Sequence, residues 1–79
     1  MAGAPATPEE LVTFIARHLV SQPEQVSVRS AEDGRLLELL TAPDDRGRVI
    51  GRQGRVAKAI RSVLGASRDG ADCRLEIID

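Results

Sequence analysis

Aromatic side chains are almost absent: one phenylalanine, Phe14, and no tyrosine or tryptophan among 79 residues. Binding that depends on a row of stacking platforms is therefore excluded as a main source of affinity. There is one cysteine, Cys73, which rules out an internal disulfide framework and a multi-cysteine zinc site. A cytosolic setting fits that cysteine usage. No apolar run approaches the roughly 18 residues that a membrane span needs. The start Met1-Ala2-Gly3-Ala4-Pro5-Ala6 has neither a basic segment nor a long apolar stretch, so it does not read as a signal peptide.

What remains is enough for one small domain. Hydrophobic residues make up 42% of the chain, which supports a packed core rather than disorder. Net charge is −1, yet its distribution is uneven. From Arg46 to Arg61 lie Arg46, Arg48, Arg52, Arg55, Lys58 and Arg61 with no acid among them, so this segment carries +6 and the rest −7. Local field, more than net charge, steers a polyanion. A solvated basic helix face is the plainer reading of the same residues, so charge alone does not decide.

Residues 1–6 read as a loose tail and residues 7–79 as a single domain. Thr7-Pro8-Glu9-Glu10 is a helix start, with Thr7 as N-cap, Pro8 at the first helical position and Glu10 closing a capping box. Leu11, Phe14, Ile15, His18 and Leu19 continue as a helical stripe, which Ser21-Gln22-Pro23 ends. Val26 and Val28 open a strand, Glu32-Asp33-Gly34 a turn, and Leu36 to Thr41 a second strand. Asp44 or Asp45 is positioned to cap a short helical turn through Val49. A long helix follows from Arg55, with Val56, Ile60, Val63 and Leu64 as its apolar face and Ala57 and Ala59 allowing close packing. Cys73, Leu75 and Ile77 alternate with polar neighbours in a last strand. The order is α-β-β-α-α-β. The hairpin pairs antiparallel, and the crossover through two helices is long enough for parallel pairing. The expectation is α+β: a three-stranded mixed sheet with helices packed on one face.

Between the two later helices stands Val49-Ile50-Gly51-Arg52-Gln53-Gly54-Arg55. Two glycines bracketing two polar residues suit a tight loop that lets backbone approach a phosphate. A helix opening at Arg55 aims free N–H groups and the positive dipole end at an anion. The amides of Arg52, Gln53 and Gly54 are expected to meet one phosphate. Arg52 should reach the same phosphate or the next, with Arg48 and Arg55 flanking. Gln53 can donate to phosphate or sugar, while Val49 and Ile50 anchor the loop.

This arrangement resembles the KH domain of the second topology, type II, whose hallmark is V-I-G-x-x-G. The likeness extends outward through Glu38-Leu39-Leu40-Thr41-Ala42-Pro43-Asp44-Asp45-Arg46-Gly47-Arg48 and Arg55-Val56-Ala57-Lys58-Ala59-Ile60-Arg61. It also takes in the terminal Leu75-Glu76-Ile77-Ile78-Asp79. Over residues 8–79 the chain is similar to small stand-alone bacterial KH proteins of the KhpA type. The resemblance implies non-catalytic binding of single-stranded RNA, with the loop gripping the backbone and bases along an aliphatic groove. It implies Arg48, Val49, Ile50, Gly51, Arg52, Gln53, Gly54, Arg55 and Lys58 as RNA-binding residues, and no cofactor. It further implies a homodimer or pairing with a KhpB-type KH protein, a cytoplasmic location, and a role as post-transcriptional regulator or RNA chaperone. The alternative is an assembly module in which RNA contact is secondary.

Other sites are weaker. Gly47, Gly51 and Gly54 lack G-x-G-x-x-G spacing and no G-K-[ST] follows, so dinucleotide and Walker loops are rejected. His18 belongs at a helix edge and Cys73 in the core as a small apolar residue. Leu36, Leu40 and Ile78 are candidates for an apolar outer sheet face and hence a partner surface.

Overall fold

A computed structural model describes residues 7–67 and 70–78. The expected loose tail lies outside the described residues, as does part of the connection before the last strand. Helix α1 spans Pro8–Leu19 and begins as its sequence dictates. The Thr7 hydroxyl accepts from the Glu10 amide, and the Glu10 carboxylate accepts from the Thr7 amide, each at 3.1 Å. A 3₁₀ turn over Pro23–Gln25 leads into β1, Ser27–Ala31. The hairpin turn holds Glu32, Asp33 and Gly34 at φ of 53°, 58° and 86° and delivers the chain to β2, Leu36–Leu40. Helices α2, Arg46–Ile50, and α3, Arg55–Ala66, then cross over to β3, Arg74–Ile77.

The sheet order is β1-β2-β3, with β1 antiparallel and β3 parallel to the central β2. Val28, Leu39 and Ile77 stand in one cross-strand row, and Ser30, Leu37 and Leu75 in the next. Side chains alternate along a strand, so these rows share the face that the helices cover. Leu37, Leu39 and Leu75 are buried there with Val12, Ala16, Val49, Ile60 and Leu64. Cys73 packs half-buried against this core, its thiol donating to the Gly34 carbonyl at 3.2 Å.

The outer face is less apolar than expected. Leu36 is buried: in register it lies between Ala31 and Arg74, and Arg74 reaches across to pair with Glu32. Leu40 and Ile78 are half-buried. Arg29 pairs with Glu38 at 3.7 Å on the same face.

Helix α1 is turned from its expected phase, whereas α3 keeps its own except at Val63. In α1 the residues that meet the core squarely are Val12 and Ala16, while Phe14 and Leu19 are exposed. In α3 the expected Ile60 and Leu64 are buried, with Ala57 beside them and Val56 packed half-buried against the core, while Val63 is exposed. Small side chains let a helix lie close to a sheet, so the larger apolar residues flank the contact instead of centring it. Apolar surface is thereby left over on the side where α1 and α3 meet.

Candidate nucleic-acid interface

The loop is built from a closed turn and three left-handed residues. The Gly51 amide donates to the Gly47 carbonyl at 2.8 Å and ends α2. Gly51 then sits at φ 77°, ψ 171°, a region essentially reserved for glycine. Space demands glycine as well, since a Cβ there would lie 2.8 Å from the Val56 backbone nitrogen and collide with the Val56 side chain. Gln53 (φ 56°) and Gly54 (φ 75°) are left-handed too, but a Cβ on Gly54 would meet nothing. One glycine is thus required by packing and conformation together, the other by conformation alone.

One expectation about the amides is corrected. Gly54 donates its N–H to the Gly51 carbonyl at 3.0 Å, and Arg55 donates to the Arg52 carbonyl. The turn closes on itself through these bonds, so the Gly54 amide does not face a ligand. The Arg52 and Gln53 amides enter none of the loop's backbone bonds among the described residues. Both side chains are exposed. Left-handed residues set among right-handed ones form concave amide arrangements that suit anions.

Helix α3 opens without a side-chain cap and without an acid in its first turn; Arg55 and Lys58 stand there exposed instead. Its positive dipole end and two cations face the same solvent region. Beneath, Val49 is completely buried and Ile50 half-buried. Val49 therefore supports the loop from the core and offers no surface to a ligand. Arg48 is exposed at the flank.

Asp45 is the functional neighbour that the sequence did not reveal. It caps nothing on α2: its side chain is fully buried and makes no cap bond. Instead it accepts from the Ser21 amide (3.0 Å), the Ser21 hydroxyl (2.8 Å) and the Gln22 amide (3.0 Å), with Arg48 Nε at 3.4 Å. The Ser21 amide is the main influence holding its carboxyl below the usual aspartate range. Burial opposes this, while the Ser21 hydroxyl, Gln22 amide and Arg48 charge add to it. The carboxylate ties the chain leaving α1 to the start of α2, and so fixes the base on which the loop is mounted. Nothing local signals a bond across more than twenty residues; only the polar end of α1 and an aspartate at the edge of the basic segment hint at it.

The model of the KhpA/KhpB KH domain matches residues 9–77. The chain belongs to this family. Its α-β-β-α-α-β order and mixed sheet are those of the type II KH fold. The chain is similar to the RNA-binding protein KhpA of Clostridium perfringens, 51% identical over 61 residues, covering 75% of this chain and 81% of that one. It is 47% identical over 75 residues to the RNA-binding protein KhpA of Treponema pallidum, covering 90% and 94%. With the RNA-binding protein KhpA of Halalkalibacterium halodurans it shares 49% identity over 73 residues, covering 87% and 96%. No solved structure matches the chain. Among the described residues no cluster of His, Cys, Asp or Glu could hold a metal ion, and no helix is long and apolar enough to cross a membrane.

Proposed function

We propose that this chain binds single-stranded RNA, without catalysis, through the Gly51–Gly54 loop and the open start of α3. It acts in the bacterial cytoplasm as a post-transcriptional regulator or RNA chaperone. The observation that carries this reading is the exposed Arg52-Gln53 pair with its two uncommitted amides, set before a helix whose first turn is cationic and uncapped. One phosphate meets those amides, with Arg52 beside it and Arg48, Arg55 and Lys58 flanking. Bases lie along α3 toward β3. Neutralising two or three phosphates gives a slope of log K against log salt of about −2 on single strands.

Affinity from so few contacts is modest, and pairing raises it by avidity. The apolar surplus supports a self-associating domain, or one seated on a KhpB-type protein. Ile15, Leu19, Val56, Ala59 and Val63 line a groove of about 450 Å³ between α1 and α3. That same surface favours the second reading, an assembly module with RNA contact secondary. Titration of RNA against Arg52→Asp/Gln53→Asp separates the two. Binding should fall at least about 100-fold while circular dichroism stays native. Unchanged affinity would overturn the loop assignment and leave pairing as the main role.

A further inference from the structure

Gln53 is the side chain that the backbone of the loop suits least. It stands at φ 56°, ψ 24°, just before the left-handed Gly54. That region favours glycine, and asparagine or aspartate tolerates it because a short polar side chain can bond locally. Among the described residues two other non-glycine positions share it, Glu32 (φ 53°) and Asp33 (φ 58°) of the hairpin turn. Asp33 is of the tolerant kind, and the Glu32 carboxylate is held by Arg74. The Gln53 carboxamide has neither excuse: it is exposed and takes part in no hydrogen bond among the described residues. A strained residue that nothing inside the molecule engages points outward, to a ligand.

Its chemistry also differs from that of its neighbours. Arg52, Arg55, Lys58 and the flanking Arg48 are exposed, and their side chains only donate. The Gly51 and Arg52 carbonyls accept within the turn itself. A carboxamide both donates and accepts, so Gln53 Oε1 is the one side-chain acceptor on the loop and the first turn of α3. Phosphate oxygens are acceptors, and the cations with the Arg52 and Gln53 amides already suit them. The sugar–phosphate backbone carries one kind of donor, the 2′-hydroxyl, and only RNA has it. That hydroxyl sits on the carbon next to the one bearing the 3′ phosphate, within reach of a side chain beside that phosphate.

We infer that Gln53 distinguishes RNA from single-stranded DNA: its Oε1 accepts from the ribose 2′-hydroxyl next to the phosphate held at the loop. A deoxyribose leaves that acceptor without a partner. The inference rests on the RNA-binding reading and adds to it the sugar that the loop selects.

The test uses the full chain and three fluorescent heptamers of one base, uracil, followed by anisotropy at one salt concentration. They carry 2′-hydroxyl, 2′-hydrogen or 2′-fluorine; the last keeps a ribose-like sugar pucker and cannot donate. Wild type should bind the hydroxyl strand about fivefold more tightly than the other two. Gln53→Gly suits the left-handed backbone and keeps the main-chain amides, so all three strands should bind alike, at the level wild type shows for the deoxy strand. Gln53→Lys donates only, and the preference should fall below about twofold. Wild type that holds the fluoro strand as tightly as RNA overturns the inference. So does a Gln53→Gly loss that is uniform across the three strands, which would make the carboxamide a phosphate donor. A fivefold preference that survives in Gln53→Lys sinks it equally, and that variant decides should Gln53→Gly fail to fold. Arg52→Asp should weaken all three strands together; if it binds them like wild type, the loop reading fails instead.

Discussion

Helices α1 and α3 have the same length, 12 residues, and opposite beginnings. The start of α1 is closed by its own residues: a reciprocal Thr7–Glu10 box, a proline at the first position, two acids in the first turn and basic residues in the last. Every element agrees with the helix dipole. The start of α3 has a left-handed glycine in the cap position, no side-chain cap, no acid, and Arg55 and Lys58 where acids would stabilise. Of the two long helices, α3 alone opens without local stabilisation, and its start abuts the Gly51–Gly54 loop. A conflict between local preference and observed structure is what a binding site often shows, and it is consistent with the proposed role of this loop.

The comparison can be broken most severely at Gly51. Gly51→Ala should cost about 3 kcal/mol from its glycine-only conformation and the collision with Val56. Gly54→Ala, with open space around it, should cost only about 1 kcal/mol. Chemical denaturation of both variants checks the order. The next largest effect lies at Asp45, the joint between the end of α1 and the start of α2. Its folded carboxyl titrates below the ordinary range, so its stabilisation is fully present above that range and is lost as pH falls through the folded value. Asp45→Asn should melt about 10 °C or more below wild type at neutral pH, with the gap closing in acid. A gap independent of pH would remove the charge from the account.

Smaller changes sharpen the contrast between the two helix starts. Thr7→Ala should cost about 1 kcal/mol and leave RNA affinity unchanged. Arg55→Glu with Lys58→Glu should do the reverse, raising stability by about 0.5 kcal/mol while RNA binding is lost. Thermal melts paired with RNA titrations read both. If the acidic pair lowers stability, the start of α3 is held by interactions other than its dipole.

The parts of this molecule that were legible in advance depend on neighbours in the chain. The Thr7–Glu10 box, the Asp33-Gly34 turn, the alternation of Leu37 and Leu39, and the glycines around Arg52-Gln53 each act within a few residues. They suffice for the order of elements, the parallel crossover and the place of the loop. The phase of α1 differs from the expected stripe because periodicity ranks residues by size and hydropathy. Contact distance to the sheet is what selected Val12 and Ala16. Likewise, three amides looked available in the loop, and the closed turn takes one of them for itself.

The amino-acid sequence by itself determined a single α+β domain with a glycine-framed basic loop before a cationic helix, because propensity, capping and charge order are local. Only the tertiary structure decided that Asp45 clamps Ser21 and Gln22, that Arg61 covers the Leu75 carbonyl, and that Leu19 and Val63 are left in the open. Those contacts join residues far apart in the chain. They exist only once the sheet and helices have set the distances between them.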